Sequence, residues 1–147
     1  VADELLISLL TSLEPAKTYE ENQLVWLIGH ALAFAASPRS LPKIALLAKD
    51  DRYASAREGL CKALGGWRSS VAVEALRSLL DGALASPTLQ REHLARPFAL
   101  KALGRLRPTS VLPKVLEIVN SSSGKDREVA EKVAQKIRDR GWDDKAE

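Results

Sequence analysis

The chain has 147 residues, of which 46% are hydrophobic and 28% charged, and it carries a formal net charge of +3. This composition is typical of one folded domain or of one short repeat array. A single cysteine excludes an internal disulfide, and two histidines leave few ligands for a zinc site, so we expect neither a metal nor a cofactor.

The sequence shows no membrane-spanning or targeting segment. The longest apolar run extends from Leu24 to Ala36 and is interrupted by Gly29 and His30, whereas a membrane-spanning helix needs about 20 apolar residues. The first residues are acidic where a signal peptide would be basic. We therefore expect a cytoplasmic protein without membrane contact. The absence of methionine, even at the first position, suggests a processed product or an excised fragment.

Apolar residues recur at helical spacing along nearly the whole chain, and the alternation typical of strands is missing. Proline, glycine and serine residues divide this pattern into eight segments. The pattern therefore predicts an all-α protein of about eight helices joined by short turns. The predicted helices span about 2–13, 20–36, 40–49, 51–65, 70–85, 86–104, 108–120 and 125–140.

Local signals mark several helix ends. Thr18 precedes the second helix as an N-cap, and Pro42 suits the first turn of the third helix. Gly65 and Gly104 are predicted to end their helices and to permit tight turns. The second helix is apolar nearly all round, so we expect neighbours to cover it on both sides.

The helices repeat in pairs. Leu41-Pro42-Lys43-Ile44 matches Leu112-Pro113-Lys114-Val115, and Lys62-Ala63-Leu64-Gly65 matches Lys101-Ala102-Leu103-Gly104. A repeated helix pair cannot bury its own apolar face, and stacking the pairs produces one continuous core. The sequence thus predicts an α-solenoid of stacked antiparallel helix pairs as a single domain over residues 1–147. Its units cover about 20–49, 51–85 and 88–120, with capping helices at about 2–13 and 125–140.

Matched residues in two of the units resemble a known repeat pattern. They are Arg57, Ala63-Leu64-Gly65, Val71 and Leu76, and then Arg96, Ala102-Leu103-Gly104, Val111 and Leu116. Their order and spacing resemble bacterial HEAT-like repeats, including those of phycobilisome-lyase-type proteins. The resemblance implies a curved superhelix whose second helices line a concave face. It also implies protein binding as the usual role, with nucleic-acid binding or bilin attachment in some members.

Catalytic motifs are missing from the sequence. Ser121-Ser122-Ser123-Gly124-Lys125 lacks the first glycine of a P-loop, and Glu92-His93 has no second histidine four residues later. His30 lies in the longest apolar run and is interpreted as a packed histidine. Cys61 lies among apolar residues and is interpreted as a structural thiol. Asp143-Asp144 is interpreted as a solubilising pair in the tail. The sequence therefore predicts no catalytic residue.

Charged residues supply the candidate binding site. Residues 38–114 carry fourteen basic and six acidic groups, a net charge of +8, between two segments that are acidic overall. Repetition is expected to align the basic turn residues along one edge and to direct polar residues of the second helices outward. The candidate partner-binding residues are Arg39, Lys43, Arg68, Glu74, Arg77, Arg107, Lys114 and Glu117.

These observations favour a non-catalytic protein–protein interaction scaffold that presents a concave helical face to another protein. One alternative is nucleic-acid binding, in which the basic middle segment contacts phosphates. The other alternative, a phycobilin lyase or lyase accessory, is implied by the resemblance alone.

Overall fold

The structure, a computed structural model, describes residues 1–13, 18–85 and 95–146. Over these ranges the chain forms eight α-helices and no strand, which confirms the all-α prediction. The helices are α1 Ala2–Ser12, α2 Tyr19–Ala35, α3 Leu41–Lys49, α4 Arg57–Leu64, α5 Ser70–Ala85, α6 Ala95–Leu106, α7 Leu112–Ser121 and α8 Gly124–Arg140. Short 3₁₀ helices, Asp51–Ala56 and Thr109–Val111, precede α4 and α7.

Capping explains where several helices begin. The Thr18 hydroxyl accepts a hydrogen bond from the Glu21 N–H at 3.1 Å, so the predicted N-cap of α2 is confirmed. Pro42 and Pro113 occupy the first turns of α3 and α7, where a missing N–H costs nothing. Ser123 stands at the N-cap of α8, but its side chain makes no capping bond. The predicted start of the sixth helix near residue 86 lies outside the described residues.

The helices pack in a regular order. We call α2, α4, α6 and α8 the first helices, and each of them packs against the next one. We call α3, α5 and α7 the second helices, and each packs against the first helix that follows it, α4, α6 and α8 respectively. Helix α1 packs against α2 in the same way, and α3 also packs against α5. Matched positions of the sequence therefore lie on neighbouring helices.

One continuous core runs along this row of helices. The matched residues Leu32, Leu64 and Leu103 of three first helices are fully buried. Ile44, Ala75 and Val115 are buried at matched positions of the second helices. Burial of each leucine stabilises the fold by about 1.5–3 kcal/mol relative to exposure.

Leu116 of the repeat pattern was expected to be a buried core residue like Leu64 and Leu103, but it is only half-buried. Helix α7 packs mainly against α8 and the short 3₁₀ helix that precedes it, which leaves part of its surface open.

The prediction that Gly104 ends its helix is wrong, because α6 continues past this residue to Leu106. Gly65 does end α4, with an ordinary φ of −74°. A Cβ on Gly65 would lie 3.0 Å from Ala102 Cβ, so this glycine also permits close packing of α4 against α6.

Helix α2 is not covered on both sides, contrary to the prediction from its composition. Leu27 is 54% exposed and Phe34 is 93% exposed, and Leu24 also contacts solvent. The reason is its position in the row. Helix α2 packs against α4 on one flank and against α1, but the described residues provide no first helix for its other flank.

The apolar stretches of the chain serve this packing. Within residues 1–13, 18–85 and 95–146, every helix is too short or too polar to traverse a lipid bilayer.

Candidate functional site

The three turn arginines occupy different environments. Arg39 is exposed. The Arg68 guanidinium lies 5.6 Å from the centroid of the Trp142 ring, in a cation–π contact. Arg107 is half-buried, with a positive φ of 57°, and its carbonyl accepts a hydrogen bond from the Trp142 N–H at 2.7 Å. The structure thus brings Arg68 and Arg107 together around Trp142 and leaves Arg39 apart.

The C-terminal tail is part of the fold. The Trp142 carbonyl accepts a hydrogen bond from the Thr109 N–H at 2.9 Å. The Asp144 carboxylate accepts one from the Ser110 N–H at 3.0 Å and another from the Ser110 hydroxyl. Asp144 therefore fixes the tail to the turn between α6 and α7, and its interpretation as a solubilising residue is incomplete.

The second helices expose charges of both signs. Lys114 is less exposed than the other candidate residues on these helices, with a side chain that is 25% exposed. Its Nζ lies 2.5 Å from Asp81 Oδ1 of α5. A second carboxylate, that of Glu117, lies 3.9 Å from the same Nζ. Leu46 of α3 is 70% exposed on the same set of helices. Four of the predicted contact residues are exposed there: Lys43, Glu74, Arg77 and Glu117.

Two arginines of the repeat pattern are buried and serve the fold. Arg57 Nε donates a hydrogen bond to the Ala48 carbonyl at 2.8 Å, and its Nη2 donates to Asp51 Oδ1 at 3.0 Å. At the matched position, Arg96 Nη2 lies 3.4 Å from the Leu80 carbonyl. Both arginines thus bond a carbonyl near the end of the preceding second helix. Their charges are directed inward, so the basic middle of the chain is less basic at its surface than its composition suggests.

A cleft between α4 and α6 was not predicted from the sequence. It has a volume of about 100 Å³ and is lined by Glu58, Lys62, Phe98, Lys101, Ala102 and Arg105. Glu58 Oε2 lies 3.2 Å from His30 Nε2 and 3.8 Å from Lys62 Nζ. The cleft therefore combines an excess of cations with an apolar surface. The repeated Lys-Ala-Leu-Gly motif was the signal for it, because it places Lys62 and Lys101 at matched positions of adjacent helices.

His30 is a packed residue, as predicted. Its ring centroid lies 4.3 Å from that of Trp26, with the planes tilted by 55°. The buried Nε2 approaches Glu58 closely without a well-formed hydrogen bond, so the attraction is mainly electrostatic. This contact ties α2 to α4 at one end of the cleft.

Cys61 is fully enclosed in the core. Burial raises the pKa of its thiol to about 12, which keeps it protonated and poorly nucleophilic at neutral pH. Among the described residues, His, Cys, Asp and Glu side chains do not gather in groups of three that could hold a metal ion.

Comparison of the chain with protein-family models, curated proteins and solved structures finds no match. The functional interpretation therefore depends on the geometry of these surfaces.

Proposed function

We propose that the chain is a HEAT-like α-solenoid that acts as a non-catalytic scaffold and binds another protein through its second helices. The observation that carries the proposal is the exposed side chains of α3, α5 and α7, which include charges of both signs and the apolar Leu46. A cytoplasmic location, expected from the sequence, belongs to the same proposal.

The mixed charges favour a protein partner. Lys43 and Arg77 are exposed near the acidic Glu74 and Glu117, whereas a phosphate backbone would be repelled by the two carboxylates. Leu46 offers apolar area that a protein partner can bury, in the manner of an interface core with a polar rim. Protein interfaces gain specificity from such complementary charges and much of their affinity from buried apolar groups.

The basic residues support nucleic-acid binding less well. Arg57 and Arg96 are buried, and the Arg68 guanidinium lies over the Trp142 ring. The Arg107 guanidinium is partly buried beside the Gly104 carbonyl. Lys114 is paired with Asp81. A steep fall of affinity for single-stranded DNA with rising salt would favour the nucleic-acid alternative, because phosphate contacts release counterions.

The first experiment identifies the partner at this surface. A photo-crosslinking amino acid replaces Lys43 or Arg77 on the second helices, or Lys125 at the start of α8 as the control position. The proposal requires one protein to crosslink from both second-helix positions and not from the control. Equal crosslinking from all three positions would contradict it.

The second experiment measures affinity for the purified partner by calorimetry. The double variant Lys43→Glu and Arg77→Glu is compared with Lys125→Glu and Arg138→Glu, which makes the same charge change on α8. We expect the first pair to weaken binding about tenfold or more without lowering the Tm, because exposed charges add little stability. Lys114 is left intact, since its reversal would place three carboxylates together. Equal losses from both pairs would indicate bulk charge attraction and would refute the second-helix surface.

A further inference from the structure

We propose that the cleft between α4 and α6 is a second binding site, and that it takes an extended acidic segment of a protein. In this site an apolar side chain of the segment packs on Phe98, and carboxylates lie at Lys101 and Arg105. The cleft is lined by first helices only, so it is separate from the surface in the proposed function.

The charges of the cleft define its ligand. Among the described residues, Glu58 is the only carboxylate that lines it, and this group is already close to His30 and Lys62. Within the part of the chain that the structure describes, Lys101 and Arg105 have no ion-pair partner. Both are exposed and lie one helical turn apart on α6, so one carboxylate can contact both. The planar guanidinium of Arg105 suits a carboxylate in particular.

The repeat extends this basic site across neighbouring helices. Lys62, Lys101 and Lys132 occupy matched positions of α4, α6 and α8, which pack in that order. Packed helices lie about 8–10 Å apart. A peptide in the extended polyproline II conformation advances about 3.1 Å per residue with three residues per turn, so every third residue recurs on the same face at about 9 Å. A segment with an acidic residue at every third position therefore matches the spacing of the row.

The floor of the cleft distinguishes a peptide from a nucleic acid. Phe98 is half-buried and packs against the core beside the buried Ala102, which provides a fixed apolar surface. Single-stranded nucleic acids are usually held by several aromatic side chains that stack successive bases. Of the residues that the structure describes, one aromatic side chain lines this cleft, and the nearby carboxylate of Glu58 repels phosphate. An acidic peptide with apolar residues between its carboxylates satisfies both features.

The test uses the full chain and a fluorescent peptide of four Glu-Leu-Gly repeats, with binding measured by anisotropy. A peptide of the same composition, with its glutamates contiguous, tests the spacing. We expect the repeat peptide to bind at least tenfold more tightly than the rearranged peptide. No binding of the repeat peptide, or equal binding of both peptides, would overturn the proposal.

Variants locate the site. Lys101→Glu with Arg105→Glu should weaken binding of the repeat peptide at least tenfold, and Phe98→Leu should weaken it several-fold while keeping an apolar packing residue.

Lys125→Glu with Arg138→Glu is the charge-matched control and should leave affinity within twofold. Equal loss in the control, or displacement of the peptide by a single-stranded oligonucleotide at equimolar concentration, would refute a peptide site. The Lys43→Glu and Arg77→Glu variant should bind the peptide normally, so failure of this proposal is separable from failure of the second-helix scaffold.

Discussion

Gly59 of α4 faces Gly29 of α2 so closely that a Cβ on Gly59 would overlap the Gly29 backbone, only 2.1 Å from its carbonyl carbon. Neither glycine has a positive φ, so the requirement is for space and not for an unusual backbone conformation. The two helices touch backbone to backbone at this point. The contact sets the distance between the first two members of the row of first helices.

Gly59→Ala should therefore destabilise the protein, although the same change usually favours a helix by about 1 kcal/mol. The added methyl group meets backbone atoms, which cannot rotate away, and overpacking of this kind costs about 1–3 kcal/mol or more. Urea unfolding measures the change. Gly66→Ala is the matched control, because its nearest obstacle would be 3.4 Å away. Equal stability of the two variants would show that α2 and α4 do not meet as described.

Leu103→Ala should lower the free energy of unfolding by about 2–5 kcal/mol, because Leu103 is fully buried in the C-terminal half of α6. Thermal or urea unfolding provides the measurement. Leu46→Ala removes the same atoms from a residue that is 70% exposed and should change stability by less than about 0.5 kcal/mol. A Leu103→Ala variant as stable as the wild type would contradict the matched register of the repeats.

Much of the fold can be predicted from the sequence, because the helix ends carry strong local signals. Thr18, Pro42 and Gly65 act at helix ends as their chemistry suggests. The 3₁₀ helices before α4 and α7 were missed, since both merge with the helical pattern that follows. The exposure of one flank of α2 was also not predicted, because the apolar composition of a helix does not determine how many other helices pack against it.

The candidate site was harder to predict. The turn arginines were expected in one open row, yet the Arg68 guanidinium lies over the ring of Trp142 from the tail, and the backbone carbonyl of Arg107 accepts a hydrogen bond from the same residue. Such a contact between distant parts of the chain has no periodic signal. The cleft at Lys62 and Lys101 was visible only as a repeated motif, and its depth depends on how α4 and α6 pack.

Cys61 should resist thiol reagents in the native protein. Its pKa is raised to about 12 by burial, and its sulfur is enclosed in the core, so reaction requires unfolding. We expect no reaction with a disulfide reagent at pH 8 until urea unfolds the chain, followed by one reactive thiol per molecule. Rapid reaction of the folded protein would show that α4 is less enclosed than described.

Asp3 should make stability depend on pH in the acidic range. The Ser37 hydroxyl donates a hydrogen bond to its carboxylate at 2.8 Å, and with Ser40 it holds the pKa well below the ordinary 3.8. Since the folded state binds this proton less readily than the unfolded chain, the stabilisation is fully present above pH 3.8. It is lost as the pH falls from there toward the folded pKa.

Asp3→Asn removes this titration. The stability difference between wild type and variant should be constant from about pH 7 to 5 and should shrink steadily below about pH 4. Urea unfolding at a series of pH values measures it. A difference that does not change between pH 5 and pH 3 would contradict the assigned hydrogen bonds.

The most direct test of the account concerns the row of first helices, on which the repeat and the cleft both depend. Nitroxide labels on cysteines replacing Lys62, Lys101 and Lys132, taken in pairs, give distances by electron paramagnetic resonance. The account predicts similar distances for the pairs 62/101 and 101/132, because neighbouring helices are about 8–10 Å apart. The distance between positions 62 and 132 should be about twice as long. An outer distance as short as the neighbouring ones would show that the helices form a closed bundle and would contradict the stacked array.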